Sequence, residues 1–477
     1  MFTAKYSFMR ESRMTRLLLA LFCALGCTAA TAAQGPNFVI LLADDLGWAD
    51  VGFHGSDIET PNLDSLAKKG VQLKQFYVQP TCSPTRIALM TGRYPYHIGG
   101  HISVLRPYHK HGVPVDENML SQVLKDAGYK TAITGKWHLG LARKAYWPTS
   151  RGFDLAHGCL GGAVDYFNHT GYGSLDWYDQ DTIPLREEGY ATDLIGQRAA
   201  QIIEDHDFRK HPLFLYVPFN APHTPLDAKS EDIAKYSSEK NEKRRIYCAQ
   251  VDNMDQAIGK IIEALKAKNV FDNTVILFAS DNGGYGDGKI ADNKPFRGGK
   301  GKPFEGGIRV PAFIIWPDGL KGGRSYDQPL HIVDVLPTFA DLAKASTSKC
   351  KPLDGIDFWP SLADGTPLPK RDIYHNVKDK KGGRGSIRSG DWKLIVARKD
   401  RAPDGTPLQG SKHVALLFNI ADDPYETKNL ATSHPEIVST LWGKLKAKGP
   451  EVGNAKPYTA RAPEGWAAPA DWSGVPN

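Results

Sequence analysis

The run Cys82-Ser-Pro-Thr-Arg86, continued by Leu89 and Thr91-Gly92-Arg93, sets a potential nucleophile beside an anion-binding side chain. Pro84 is favoured in the first turn of a helix, so Cys82 should stand at a helix N-terminus. Free backbone N–H groups and the helix dipole favour an anion there. Arg86, four residues on, falls on the same helix face and offers a forked donor suited to sulfate or phosphate oxygens. A lone cysteine is more often a buried thiol, but the flanking Pro, Arg and Thr-Gly-Arg argue against that default here.

Two acidic pairs share one pattern. An apolar run ending at Ala43 leads into Asp44-Asp45, and Ile276–Ser280 leads into Asp281-Asn282. In open α/β sheets ligands bind beyond the carboxyl ends of strands, so both pairs could meet at one site. Three carboxylates and one amide suit a hard divalent ion, Ca2+ before Mg2+, because Ca2+ tolerates an irregular set of side-chain oxygens. Either pair alone reads equally well as a turn or helix cap; two pairs, each after an apolar strand, favour the ion. Lys136 and His138, two apart at a strand end, share one face, which suits a site as well as a solvent edge. His223, in Ala221-Pro-His-Thr-Pro225, is a turn residue.

These residues need a scaffold, and the first two thirds of the chain alternates short apolar runs with helical patterns. Strands are expected at Asn37–Leu42, Gln72–Val78, Thr131–Thr134, Leu213–Phe219, Thr274–Ala279 and Ala312–Trp316. Helices are expected at Asn62–Lys69, Ser83–Met90, Met119–Ala127 and Lys243–Ala267, the last with Ile246, Val251, Met254, Ile258, Ile261 and Leu265 at near-helical spacing. This is an α/β pattern with a largely parallel sheet covered on both faces. After about residue 368 the texture changes to short antiparallel strands (Ile373–Val377, Gly385–Ser389, Trp392–Ala397, Val414–Ile420) and one helix, Pro435–Lys448. The expected organisation is an export segment 1–33, a catalytic domain 34–368 and a smaller C-terminal subdomain with its tail, 369–477.

The first 33 residues carry Lys5, Arg10, Arg13 and Arg16, then the apolar run Leu17–Leu25, then small residues up to Ala33. This is an export-signal pattern, and the apolar run is too short to span a bilayer. The expected location is periplasmic or extracellular, with a lipid anchor at Cys27 as the alternative. The segment holds four of the 59 basic residues and one of the 53 acidic ones, so a cleaved chain has a net charge near +3 rather than the formal +6. Neither that charge nor any motif indicates nucleic-acid binding. Cys82, Cys159, Cys248 and Cys350 are too sparse for a disulfide scaffold and lack zinc-site spacing. Cys248 reads as a buried thiol, and one bridge among the last three is left open.

The stretch from Cys82 to Arg93 resembles the signature of the formylglycine-dependent sulfatases. Other segments resemble the same family in the same order: Leu41–Trp48, Gly135-Lys-Trp-His-Leu-Gly140, Ala221–Pro225, Asp281-Asn-Gly-Gly284, Arg297–Gly301 leading to Glu305–Pro311, and Asp423–Leu430. Val51–Ser56, Pro148–Phe153 and Pro352–Asp357 look most like its arylsulfatase B branch, which includes N-acetylgalactosamine-4-sulfatases and bacterial polysaccharide sulfatases. The resemblance implies an alkaline-phosphatase-like fold and hydrolysis of sulfate monoesters, on a sulfated carbohydrate. It implies that a formylglycine-generating or anaerobic sulfatase-maturating enzyme oxidises Cys82 to an aldehyde whose hydrate is the nucleophile. It also implies that Asp44, Asp45, Asp281 and Asn282, with an oxygen of the modified Cys82, hold Ca2+. Arg86 would help hold the hydrate, and Lys136, His138, His223 and Lys300 would surround the sulfate.

Chemically, the ion with Lys136, Lys300 and Arg86 would neutralise the ester's negative oxygens. Asp281 would deprotonate the attacking hydroxyl. His223, or failing it Lys300, would protonate the leaving alcohol, and His138 would take a proton from the second hydroxyl. His97, His101, His109 and His111, with Arg106 and Lys110, follow the nucleophile helix, where they could line an entrance that reads a sugar. The alternatives are a phosphodiester or phosphonate ester hydrolase of the same superfamily, and a non-catalytic binder of sulfated glycans.

Overall fold

The structure, a computed structural model, describes residues 35–99, 104–180, 183–286, 288–377, 383–400, 402, 404–452 and 462–476. The export segment with Cys27, His101, and residues 378–382 of a basic loop fall outside these. The strand Asn37–Ala43 runs through the centre of a ten-stranded mixed sheet and is buried along its whole length. Its side chains alternate between two cores: Phe38, Ile40 and Leu42 enter one, Val39, Leu41 and Ala43 the other. Burial on both faces is why the segment reads as an unbroken apolar run.

Across that sheet the order is Arg324–Tyr326, Val71–Leu73, Ala312–Ile315, Thr274–Ser280, Asn37–Ala43, Leu213–Pro218, Lys130–Thr134, Leu155–Gly158, Tyr178–Asp179 and Ile183–Pro184. The central strands are parallel, and Ala312–Ile315 runs antiparallel to Thr274–Ser280. Pro61–Lys69, Ala191–Asp205 and Glu242–Ala267 place their buried residues in one core. Cys82–Thr91, Leu120–Asp126 and Val335–Leu342 place theirs in the other. The fold is thus the helix-covered, mainly parallel α/β sheet expected, with a second sheet beyond it.

One expected strand divides. Gln72–Val78 is two strands, Val71–Leu73 in the large sheet and Phe76–Tyr77, which pairs with Leu330–His331. The chain turns at Lys74-Gln75, where Lys74 N–H donates to Tyr326 O and Gln75 O accepts from Leu330 N–H. The helix Ala191–Asp205 was not among those anticipated, although Ile195, Ala199 and Ile202 bury one face of it.

The second sheet is antiparallel and five-stranded, ordered Asp372–His375, Gly385–Ser389, Trp392–Arg398, His413–Asn419 and Thr406–Pro407. The helix Pro435–Ala447 covers it. Leu394, Leu417, Leu441 and Leu445 share one continuous core with Phe38 and Ile40 of the central strand, and Pro36–Asn477 forms one compact unit. Cys82, Cys159, Cys248 and Cys350 are all unbridged, and Cys248 is a buried thiol as expected.

Candidate active site

The register of the two central strands builds the site. Ala43 pairs with Ser280, so the residues that follow, Asp44-Asp45 and Asp281-Asn282, emerge side by side. Asp45 N–H donates to Asp281 Oδ1 at 3.3 Å, and Asn282 Nδ2 donates to Asp45 Oδ1 at 2.7 Å. Asp45 sits in the left-handed region at φ 67°, as does His138 at φ 60°. Such backbone costs about 1–3 kcal/mol per residue and persists where the surroundings over-determine it.

The helix Cys82–Thr91 has all ten residues buried, with Cys82 as its first. Each part of the signature has a structural task. Ser83 Oγ accepts from Leu105 N–H at 3.0 Å, and Thr85 Oγ1 donates to Gln79 O at 2.9 Å. Arg86 sends Nε and Nη2 to Asp281 Oδ2 (3.1 and 2.9 Å), Nη2 to Asp44 Oδ2 (3.3 Å) and Nη1 to Lys136 O (2.8 Å). Gly92 caps the helix in the left-handed conformation at φ 65°, a position that favours glycine, and Arg93 leaves to bind Glu117 at 2.6 Å.

Lys136 follows the strand Lys130–Thr134 and its ammonium donates to Asp44 Oδ2. Lys300 reaches Asp45 Oδ2 at 2.7 Å, and His223 Nε2 lies 3.7 Å from the same oxygen. Asp44, Asp45 and Asp281 are therefore matched by Arg86 and Lys136, whose side chains are fully buried, and by Lys300, which is partly exposed. Burial pushes Asp44 up, yet Lys136, His223, Arg86 and Lys300 outweigh it and hold the carboxyl below its ordinary range. Burial and the neighbouring Asp44 charge push Asp281 up to about 7, against Arg86 and Lys136. Burial opposes the Lys136 and Lys300 charges, but the carboxylates prevail and keep both ammonium groups more basic than usual. Burial pushes the Cys82 thiol up to about 12, so an unmodified Cys82 stays protonated.

The two histidines differ in which nitrogen donates to a backbone carbonyl. A backbone carbonyl only accepts, so His138 Nε2 is the protonated nitrogen that donates to Leu105 O at 2.8 Å. Its Nδ1 is buried with no hydrogen-bond partner among the described residues, and burial keeps the ring neutral. His223 Nδ1 donates to Thr224 O at 2.6 Å, which leaves Nε2 toward Asp45; burial lowers its pKa, against Asp44 and Asp45.

Asp44, Asp45, Cys82 and His223 each offer a ligand atom, and those four atoms lie within 4.8 Å of one another. Asp44 Oδ1 and Asn282 Oδ1 are buried and have no hydrogen-bond partner among the described residues. An orphaned buried acceptor costs about 1–3 kcal/mol, and a cation would satisfy both. The donor set, mainly carboxylate and amide oxygen, fits a hard divalent ion. His223 joins this group although it was expected only as an acid, while Asp281 lies outside it with its carboxylate held by Arg86.

Several supports carried no readable sequence signal. Tyr166 OH lies 2.9 Å from both Asn220 O and His223 O and shares its one proton between them, bracing the His223 turn. Asp176 accepts from the N–H groups of Leu160 and Gly161 at 2.9 and 2.8 Å. Gly162 lies against the His138 ring: a Cβ there would come within 2.5 Å of Nε2. His97 instead pairs with Asp354 at 3.0 Å, and His109 and His111 stack on each other with centroids 5.4 Å apart.

The sequence model of the sulfatase family matches residues 36–345. Arylsulfatase J of Mus musculus is 37% identical over 451 residues, covering 86% of this chain and 75% of that protein. N-acetylgalactosamine-6-sulfatase of Rattus norvegicus is 34% identical over 386 residues, covering 76% of this chain and 72% of that one. The crystal structure of Ps i-CgsB superposes with a TM-score of 0.79 at 35% identity over 88% of this chain and 94% of that chain, and the same protein in complex with k-i-k-neocarrahexaose gives 0.78. Arg86 clamped on Asp281, a nucleophile position at a buried helix start, and these relatives lead to one conclusion: the chain belongs to the formylglycine-dependent sulfatase family and is a sulfuric ester hydrolase.

Proposed function

We propose that the protein removes sulfate from a sulfated carbohydrate outside the cytoplasm, with a formylglycine made from Cys82 and one bound Ca2+. The observation that carries this reading is Cys82 within ligand range of Asp44 and Asp45, inside a ring of three cations. Relatives named for N-acetylgalactosamine sulfate and one solved with a neocarrahexaose support a carbohydrate substrate.

Asp44, Asp45 and Asn282 would hold Ca2+ with an oxygen on residue 82, and Asp281 would add Oδ1 from the edge of that group while Arg86 holds its Oδ2; the ion would supply fixed positive charge against the sulfate oxygens. An aldehyde hydrate at residue 82 would supply two hydroxyls on one carbon, one a nucleophile toward sulfur and the other an ionisable group for expelling sulfate. The chain's own side chains do the rest. Arg86 fixes residue 82's helix to the acidic strand ends and orients Asp281, which takes the proton of the attacking hydroxyl. Lys136 and Lys300, kept charged by Asp44 and Asp45, neutralise the oxygens of the sulfate without reorganising. Acting as the imidazolium, His223 donates from Nε2 to the leaving oxygen and keeps its Nδ1 proton on Thr224 O. His138 accepts at Nδ1, the nitrogen with the open lone pair.

Residue 82 is 1% exposed, so a formylglycine-generating or anaerobic sulfatase-maturating enzyme would have to act before folding closes the site. The segment 1–33 is read as an export signal, and no helix among the described residues is long and apolar enough to cross a membrane. Residues 34–368 then form the catalytic part and 369–477 a subdomain. Turnover of the sulfate and phosphate esters of one aryl alcohol tests the reading. Sulfate should dominate; a dominant phosphatase activity would point to the phosphoryl-transfer alternative.

A further inference from the structure

The segment after the nucleophile helix is tied to the catalytic centre at one residue. Leu105 N–H donates to Ser83 Oγ at 3.0 Å, and Leu105 O accepts from His138 Nε2 at 2.8 Å. Arg106 therefore leaves the backbone one residue from two anchors, one beside Cys82 and the other a catalytic histidine. Its own N–H donates to His109 Nδ1 at 2.9 Å, which fixes the direction of the turn. Its guanidinium Nη1 donates to Tyr172 OH at 2.6 Å, with the guanidinium carbon 5.9 Å from the ring centroid.

Tyr172 lies at the turn between the paired strands Thr170–Gly171 and Ser174–Leu175, and its backbone is left-handed at φ 56°. The loop that carries it also supports both histidines, through Gly162 against His138 and Tyr166 under the His223 turn. Among the described residues only four large hydrophobic side chains are markedly exposed, and two of them, Phe167 (44%) and Tyr172 (41%), are on this loop. Scattered exposed aromatics need no explanation. Two lie on the loop that braces those histidines, and one of them, Tyr172, is joined to Arg106.

We propose that Arg106 and Tyr172 form a second substrate subsite, which takes the neighbouring sugar of a glycan chain and reads a further anionic substituent on it. The proposal rests on the sulfatase reading above and specifies its substrate as a glycan anionic at more than the cleaved position. The ring of Tyr172 offers a flat face to the C–H face of a sugar. Arg106 spends one N–H on Tyr172 and keeps the others for an oxyanion, a planar fork that matches sulfate or carboxylate. Its tether to Tyr172 holds the guanidinium in place before substrate arrives, which reduces the ordering cost of binding.

The test compares Arg106→Ala and Tyr172→Ala with wild type on an aryl sulfate and three matched oligosaccharides. One oligosaccharide carries only the scissile sulfate, one adds a second sulfate on the adjacent sugar, and one carries a uronate carboxylate there. For Arg106→Ala, kcat/KM on the doubly anionic oligosaccharides should fall about 10–100-fold, mostly through KM, the range for losing a charge-assisted hydrogen bond. That loss should exceed the loss on the aryl sulfate and the singly sulfated chain by at least about tenfold. Whichever of the two anions suffers more is the one the site reads. Tyr172→Ala should weaken all three oligosaccharides more than the aryl sulfate. Equal losses on all four substrates would mean that the pair only braces the loop and would overturn the subsite. A wild type that cleaves the aryl sulfate but no oligosaccharide would also overturn it while leaving the sulfatase reading intact. No cleavage of any substrate by protein fully converted at residue 82 would overturn both.

Discussion

His223 and Lys300 both reach Asp45 Oδ2, but they are not equivalent proton donors. Asp45 and its neighbours hold the Lys300 ammonium more basic than usual, so giving up its proton is costly. Burial pushes His223 the other way, so its imidazolium gives up the Nε2 proton more readily while Nδ1–H stays on Thr224 O. His223→Ala should therefore lower kcat/KM on an unactivated carbohydrate sulfate by about 100-fold or more, and on a nitrophenyl sulfate by far less. Equal losses on the two esters would remove His223 from the acid role. The orphaned oxygens of Asp44 and Asn282 support a second expectation that needs no turnover. Saturating Ca2+ should raise the melting temperature of chelator-treated protein by on the order of a few °C, and Asp44→Asn should lose most of that rise. A melting curve indifferent to Ca2+ would contradict the ion site.

At the level of elements, the loop carrying Lys300 is anchored by a buried charge network that two sequence motifs share. Lys393, in the second sheet, lies 2.8 Å from both Glu305 and Glu426, with all three side chains at 0% exposure or nearly so. Glu305 N–H donates to Glu426 Oε2 at 2.7 Å, Tyr77 OH donates to Glu305 Oε2 at 2.7 Å, and Arg297 Nη1 donates to Glu426 O at 3.2 Å. Burial pushes both carboxyls up. Lys393, Arg309 and Arg388 bring Glu305 below its ordinary range, whereas Glu426, with Lys393 already shared, stays raised at about 7 against an ordinary 4.5. A carboxyl raised by folding contributes stability that is complete below its unfolded pKa and fades as pH rises through the folded value. Wild type should thus lose stability relative to Glu426→Gln between about pH 4.5 and 7, by on the order of a few °C in melting temperature. A pH-independent difference between the two would contradict this. Lys393→Ala should cost about 3–5 kcal/mol, because it removes the buried cation that Glu305 and Glu426 share and leaves Glu305 to Arg309 and Arg388 alone.

The same elements show where the sequence was legible. Strands buried on both faces and ending in Asp44-Asp45 or Asp281-Asn282 announce themselves by composition, as does the long helix Glu242–Ala267. The Ala43–Ser280 register, Lys393 as the shared partner of Glu305 and Glu426, and the Leu105 acceptor of His138 arise from contacts between segments far apart in sequence, which no local periodicity encodes. The division of Gln72–Val78 has the same origin, since two different strands claim its halves.

For the whole molecule, one core passes from the central strand into the C-terminal sheet, and Lys393 and Glu426 come from beyond residue 368. A chain ending at 368 would expose that core and strand Glu305 without its lysine. It should be insoluble or inactive even with residue 82 converted; a soluble, active 34–368 fragment would show the subdomain to be dispensable. The most direct test of the central claim is mass analysis of the tryptic peptide Gln75–Arg86 on samples whose sulfate release is measured in parallel. The expected result is a peptide in which the CH2–SH of Cys82 has become an aldehyde, with activity proportional to the converted fraction. Full sulfatase activity in protein whose Cys82 is entirely thiol would contradict it.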